Sequence, residues 1–446
     1  MTLAVKESEE HYLKSFRELA KSQASSLPEW FAKLRNSGME AFAELGFPTT
    51  RLEDWKYTNV APLTGVNFQP APCELTANIL KRIESLPFTG LQASRLVFVN
   101  GHYSKELSSL AGLDENVKVR SLREALQAGA GAPERHLARY ADFTGHAFVA
   151  LNTAFMEDGG CIEIPKGVVL EKPVHLLFVS TAAGEPWVAH PRNLVLAGRE
   201  SQAAVIETYA SLDGNIYFNN AVTEIVAEEG ARVDYVKVQQ ESGAAFHVAT
   251  VLARAAPNAG IQTNSLQFGA RLGREEVTTV LDGEGAEAFL YGLYVTGGRQ
   301  LIDNHTAIDH ARPHGSSREF YKGILDGQST GVFNGKILVR KDAQKTDSKQ
   351  SDKNLLLSES ATINTKPQLE IFADDVKCTH GATVGQVDPE AIFYLRSRGI
   401  GREEARKLLI VAFANEIIGR VKFPPLREQL RAALAEKMET RPQEAA

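Results

Sequence analysis

The spacing of apolar positions changes twice along the chain, and each change predicts a different kind of element. From about Glu9 to Leu45, the residues Tyr12, Phe16, Leu19, Trp30, Phe31, Leu34, Phe42 and Leu45 recur at helical spacing, with a break at Pro28. That pattern predicts an N-terminal helical region. A further helical stretch is expected from about Leu75 to Ser85, and Leu96-Val97-Phe98-Val99-Asn100-Gly101 reads as a strand closed by a turn. Beyond about residue 145 the chain turns to short runs rich in Val, Ile, Thr, Phe and Tyr, separated by polar or glycine turns. Cys161-Ile162-Glu163-Ile164, His175-Leu176-Leu177-Phe178-Val179, Asn193-Leu194-Val195-Leu196 and Val233-Asp234-Tyr235-Val236-Lys237-Val238 are examples.

No long helical pattern interrupts these runs for more than 200 residues. After Asp388-Pro389 the helical period returns. Ala405, Leu408, Leu409, Ala412, Phe413 and Ile417 are assigned to one face, and Pro424-Pro425 precedes a second helix from about Leu426 to Lys437.

Within the β-rich stretch a loose repeat is visible. Small residues that open strands after a turn fall at Ala203, Ala231, Gly260 and Ala286, at spacings of 28, 29 and 26. Such a period fits a solenoid, whose coils cannot bury their apolar faces singly and do so by stacking. The expected fold is therefore mainly β, a right-handed parallel β-helix flanked by N-terminal and C-terminal helical regions, with a β-sandwich as the alternative. The expected division is residues 1–95 (N-terminal helical), 96–385 (β-helix, less regular to about 145) and 386–446 (C-terminal helical).

Composition narrows the function classes. Of 446 residues, 43% are hydrophobic and 23% charged, ordinary for a chain able to bury a large core. The net charge of −6 and the lack of dense Lys/Arg runs argue against nucleic-acid binding. The segment Met1 to Glu10 lacks the basic start and apolar core of a secretory signal, and no apolar run is long enough to span a bilayer. A cytoplasmic protein with no membrane partner is expected. Cys73, Cys161 and Cys378 are far apart and form no CxxC, so the sequence encodes neither a disulfide framework nor a self-sufficient metal site.

Two clusters could carry chemistry. Cys378 and His380 sit two apart, so in an extended segment both side chains share one face, with Cα atoms roughly 6 to 7 Å apart. Thiolate and imidazole suit iron, yet two ligands leave a tetrahedral centre half filled, and a working site needs donors from another chain. The plainer alternative is a small buried Cys beside a hydrogen-bonded His. The second cluster runs from Asp303 to His314 and holds three histidines and two aspartates. There, turn residues or strand-edge hydrogen bonders are the competing reading, because Pro313 disfavours the helix that would align His310 with His314. Gly283-Glu284-Gly285 and Gly297-Gly298 lack the Lys-Ser/Thr of a phosphate loop, so no ATP is expected on this chain. Arg51-Leu52-Glu53-Asp54-Trp55-Lys56-Tyr57-Thr58-Asn59 joins charge to two aromatics, either as a binding surface or as a Trp and Tyr packed under a connection.

That last segment resembles the N-terminal signature of the SufB/SufD family of the SUF iron-sulfur cluster assembly system, on its SufD side. The likeness continues through Leu96 to Ser104, Ser316 to Gly327, Gly331 to Lys336, Asn354 to Ser358, Thr365 to Ile371, Cys378 to Gly385 and Phe393 to Ile400. It is weakest from about 105 to 145.

The resemblance implies a parallel β-helix with helical ends and a non-catalytic scaffold role. It further implies pairing with a SufB-like paralogue through the β-helices, and docking of a SufC-like ABC ATPase on the C-terminal helical region, here Ala405, Leu408, Leu409, Ala412, Phe413 and Ile417. ATP-driven closure of the ATPase subunits would reshape the interface where a transient iron-sulfur cluster is built. His380 and Cys378 match family positions at that interface, and His310 and His314 are accessory candidates. SufB carries its sulfur-accepting cysteine in the segment matching Ser351 to Leu355, where this chain has none, so the resemblance implies the SufD role. A reduced flavin in the complex and a homodimer of the isolated chain are left open. The competing classes are a structural adaptor that ligates nothing and a β-helix enzyme acting on carbohydrate, for which Asp303 with Asp309 is thin support.

Overall fold

The computed structural model of the chain describes residues 3–22, 27–72, 75–129, 131–182 and 184–439; Cys73 and the last seven residues of the C-terminal region lie outside them. Among the described residues twenty-one strands form two sheets; nineteen of them make two ladders, and Gln69–Pro70 and Trp187–Ala189 pair at the side of the first. One joins, in order, Lys118–Ser121, Gly160–Ile164, Arg192–Ala197, Tyr217–Ala227, Phe246–Ala255, Leu272–Leu281, Leu301–His310, Thr330–Val339 and Thr362–Ile371. The other joins His102–Ser109, Ser94–Val99, Val174–Ser180, Gln202–Ser211, Arg232–Gln240, Gly260–Gln267, Glu287–Thr296, Ser316–Leu325, Asp347–Leu356 and Lys377–Gly385. From Gly160 onward the chain passes mostly from one ladder to the other, strand by strand, and the pairing along each is parallel. The result is a β-solenoid of about eight turns.

Residue pairing fixes the repeat. Gln202, Arg232, Gly260, Glu287, Ser316, Asp347 and Lys377 stand side by side along one ladder. Just before them Ser201, Ala231, Ala259 and Ala286 each donate a backbone N–H to the carbonyl three residues back, and all four are buried. Of the small residues chosen from the sequence, Ala231 and Ala286 lie on this column, whereas Gly260 lies one position past it and Ala203 two. The tight entry turn demands a small residue, but small residues inside the strands blur the period.

A second column is set by backbone geometry. Glu200, Gly230, Asn258, Gly285, His314 and Lys345 all have φ between +56° and +69°, the left-handed region that favours Gly and Asn. Each passes its N–H to the next coil, as in Gly230 to Pro257 (3.0 Å), Gly285 to Pro313 (3.1 Å) and His314 to Gln344 (2.9 Å).

The core lies between the sheets, with Phe98, Phe178 and Tyr209 stacked along the axis at ring separations of 4.7 and 4.8 Å. Helices Leu3–Ser22, Glu29–Leu45 and Ala147–Phe155 cover the outer face of the early coils through an aromatic cluster that includes Tyr12, Phe42, Phe47, Phe148 and Phe155. Ala147–Phe155 is a nine-residue helix that the sequence pattern, which excluded only long helices after 145, did not single out. Every residue from Phe148 to Phe155 is buried, so the helix has no polar face and no amphipathic period. It approaches Glu29–Leu45 so closely that a Cβ on Gly38 would stand 2.8 Å from the backbone nitrogen of Ala154.

At the other end, helix Arg402–Ile418 lies on strands Glu287–Thr296 and Ser316–Leu325, and Pro424–Glu439 adds Leu426, Leu430 and Leu434 to the same apolar cluster. Among the described residues no helix is long and apolar enough to cross a membrane.

Candidate functional site

Strand Lys377–Gly385 is the last rung of its ladder and among the described residues pairs with Asp347–Leu356 alone, so its outer edge carries backbone groups unpaired within them. Cys378 stands beside Ser348 and His380 beside Gln350. Ser348 and Gln350 are buried while Lys349 between them is exposed, so alternation places Cys378 and His380 on the inward-facing side. No further coil covers that side. Cys378 is half-buried against the core, unbridged, and burial raises its thiol above the usual range; His380 is exposed. The pair shares one face, as expected, and among the described residues no group of three or more His, Cys, Asp or Glu is arranged to hold a metal ion. Among the described residues Cys378 and His380 supply two donors, part of a coordination sphere.

The other candidates separate. His310 is buried inside the solenoid, its Nε2 lies 2.9 Å from Ser317 Oγ, and burial lowers its pKa to about 4. His314 is an exposed member of the left-handed turn column. The two do not share a site. Cys161 is buried and its thiol is pushed up to about 12 by burial, which leaves it an inert apolar residue.

The aspartates are committed too. Asp309 pairs with Arg340 at 2.6 Å. Asp303 meets Arg274 at 2.5 Å and accepts from Thr58 Oγ1 at 2.6 Å; burial opposes its charge, and Arg274 and His305 outweigh that and keep it ionised. The same guanidinium lies 3.7 Å from the ring centre of Trp55, donates to the Asp54 carbonyl at 2.7 Å and meets Glu276 at 2.5 Å. Lys366 completes the clamp by pairing with Glu53 at 2.6 Å. The segment Arg51 to Asn59 is thus a structural clasp between the N-terminal region and the later coils, with Trp55 packed and Tyr57 exposed.

Helix Arg402–Ile418 divides the six residues that the sequence put on one face. Ala405 and Ile417 are buried with Ile410, Ala414 and Ile418 on the side that packs against the outer face of the sheet, whereas Leu408 and Ala412 face outward; Leu409 and Phe413 are intermediate. Phe413 is tied down from below, since Lys322 donates to its carbonyl at 2.9 Å and lies 4.0 Å from its ring centre. The helix is apolar on too many sides for the sequence alone to say which side is covered.

Sequence reasoning gave no role to the large aromatics Phe372, Phe393 and Tyr394, which are 64%, 72% and 58% exposed. Phe372 lies just before the last rung, and Phe393 and Tyr394 lie on helix Pro389–Ser397, which buries none of its residues. A helix at the C-terminal end that keeps such side chains in water is the available signal.

Comparison with known proteins assigns this architecture. Residues 178–413 match the family described as SUF system FeS cluster assembly, SufBD core domain, and residues 6–176 match the SufBD protein N-terminal region. An iron-sulfur cluster assembly SufBD family protein of Synechocystis is 33% identical over 409 residues, covering 90% of each chain. The iron-sulfur cluster assembly protein SufD of Escherichia coli is 31% identical over 90% of this chain and 91% of its own length. SufD of Bacillus subtilis is 27% identical over 98% of this chain and all of its own. With two family matches that together span residues 6 to 413 but for one and relatives that align over nine tenths of the chain or more, the chain belongs to the SufBD family of the SUF iron-sulfur cluster assembly system, alongside proteins named SufD.

Proposed function

We propose that the chain is a non-catalytic, cytoplasmic scaffold subunit on which nascent iron-sulfur clusters are assembled at the joint with a SufB-like paralogue. The observation that carries this reading is the open last rung, which offers an unpaired strand edge, an exposed His380 and a half-buried Cys378 at one place. A partner solenoid docked there extends the ladder and supplies the missing ligands. Iron and sulfide are cargo of this joint, and His380, being accessible, is the first contact for iron, with Cys378 as its neighbour. Outward-facing Leu408 and Ala412, with exposed Phe393 and Tyr394, form the face for a SufC-like ATPase, whose ATP-driven motion would strain the joint. Ala405 and Ile417 support that face from inside.

Anaerobic co-expression with the SufB-like and SufC-like partners, followed by iron and sulfide analysis, tests the proposal. His380→Ala is expected to leave the complex assembled and to reduce cluster loading by about tenfold or more. Unchanged loading would leave this chain an adaptor without a ligating role, and failure of the wild type to join the complex would refute the scaffold reading altogether.

A further inference from the structure

Buried carboxylates in this solenoid are matched to donors nearly everywhere among the described residues. Glu224 meets Arg192 at 2.6 Å, Glu241 faces His247 at 2.8 Å, and Asp303 meets Arg274 at 2.5 Å. Glu207 has no cation but accepts from Asn193, Thr223, Tyr209 and Tyr235 at 2.7 to 3.0 Å. The last turns break this rule at two residues, Glu319 and Asp352.

Glu319 lies on strand Ser316–Leu325. Its register partner on the next rung is Gln350, and Asp352 follows two residues later, so all three side chains share the interior face. They are 2%, 3% and 1% exposed. Glu319 Oε2 accepts from Gln350 Nε2 at 2.7 Å, and Asp352 Oδ2 accepts from Asn354 Nδ2 at 2.6 Å. The Gln350 carbonyl Oε1 has no hydrogen-bond partner, and the second oxygens of Glu319 and Asp352 have none from an amide or a cation. Thr306 and Thr365 reach the two carboxylates from the opposite sheet, and their hydroxyls are the neutral donors beside them.

Burial pushes Glu319 up to about 7 and Asp352 up to about 6, and the charge of Asp352 adds to the rise on Glu319. Two carboxylates that repel each other, beside an orphaned amide carbonyl, form an acceptor-rich cluster with no matching positive charge. A buried acceptor without a donor is an uncompensated desolvation.

We propose that Glu319, Gln350 and Asp352 form a site for a hard divalent cation such as Mn²⁺ or Fe²⁺ inside the last turns of the solenoid. The donor set is all oxygen, which selects hard ions over the thiolate- and imidazole-seeking ones. Strand spacing and a two-residue rise put the backbones of Glu319 and Asp352 roughly 8 Å apart on the diagonal, a span that two carboxylates can bridge through one ion. Entry is from the open end. The rung above consists of His380 over Gln350 and Ala382 over Asp352, both exposed, and among the described residues no strand is paired beyond it.

This site is separate from Cys378 and His380 and does not depend on the scaffold reading. Titration of the purified full-length chain with Mn²⁺, read by the loss of the free-ion paramagnetic resonance signal and by thermal melting, tests it. Wild type and the C378A/H380A variant are expected to take up one Mn²⁺ and melt at a higher temperature with it. E319Q/D352N, isosteric and relieved of the repelling charges, is expected to fold, to melt no lower than wild type in chelator, and to show neither effect. The proposal is overturned if wild type shows no saturable uptake, if E319Q/D352N binds as well as wild type, or if binding is lost in C378A/H380A alone.

Discussion

The two ends of the solenoid are built from the same kind of rung and are finished in opposite ways. At the start, His102–Ser109 pairs antiparallel along the outer edge of Ser94–Val99, and Lys118–Ser121 does the same for Gly160–Ile164. Helix Ala147–Phe155 and the chain before it then seal the outer face. Arg192 and Glu224 are both fully buried there, and Glu224 also accepts the backbone N–H groups of Ala138, Tyr140 and Ala141 at 2.8 to 3.1 Å. At the finish, Thr362–Ile371 and Lys377–Gly385 end the ladders with nothing paired beyond them among the described residues, the last strand is almost wholly exposed, and the carboxylates just beneath it have neutral donors but no cation partner. An edge left bare is a hazard unless something covers it. The capped end stabilises the fold, and the bare end is available for partners.

The sharpest way to break this contrast is to remove the buried pair at the capped end. Glu224→Ala leaves the Arg192 guanidinium sealed without its partner and is expected to cost about 3 to 5 kcal/mol in urea unfolding. A loss below 1 kcal/mol would mean that the cap is not the stabilising half.

The bare end predicts a pH dependence of the opposite sense to that of a salt-bridged acid. Because the folded value of Glu319, about 7, lies above its ordinary 4.5, the native state holds the proton more tightly than the unfolded chain. Its contribution is complete below pH 4.5 and is lost as pH rises through 7. In chelator, the stability of wild type relative to Glu319→Gln is therefore expected to fall by on the order of 3 kcal/mol between those limits. Equal pH slopes for the two proteins would contradict this.

A smaller effect is expected where the clasp meets the coils. Trp55→Ala removes the ring that covers Arg274 and is expected to cost about 1 to 2 kcal/mol, seen as a lower urea midpoint. Smallest of all, His380→Ala is expected to change stability by less than about 0.5 kcal/mol, because its side chain is exposed. That near-null result, set beside a loss of cluster loading, would separate a working residue from a structural one.

Much of the fold was legible because a solenoid repeats its own signals. Strands such as Arg232–Gln240 follow the runs of Val, Ile and Tyr that announced them, and helices Ala77–Glu84 and Pro424–Glu439 fall where their periods and prolines put them. What escaped had physical reasons. Ala147–Phe155 is buried all round and shows no period, and His314 takes a turn position that glycine or asparagine fills in other coils. The pairing of Cys378 with His380 could be read from alternation alone. Glu319, Gln350 and Asp352 could not, since polar residues at every second strand position look solvent-facing until the register shows them pointing inward, as Ser348 and Asn354 do.

The bare end can be examined directly by hydrogen exchange of the chain with and without its SufB-like partner. The account predicts strong added protection across residues 362–385 and none across 94–121, where the edge is already paired. Protection confined to 94–121, or a 362–385 segment that exchanges as fast in the complex as in the free chain, would contradict it.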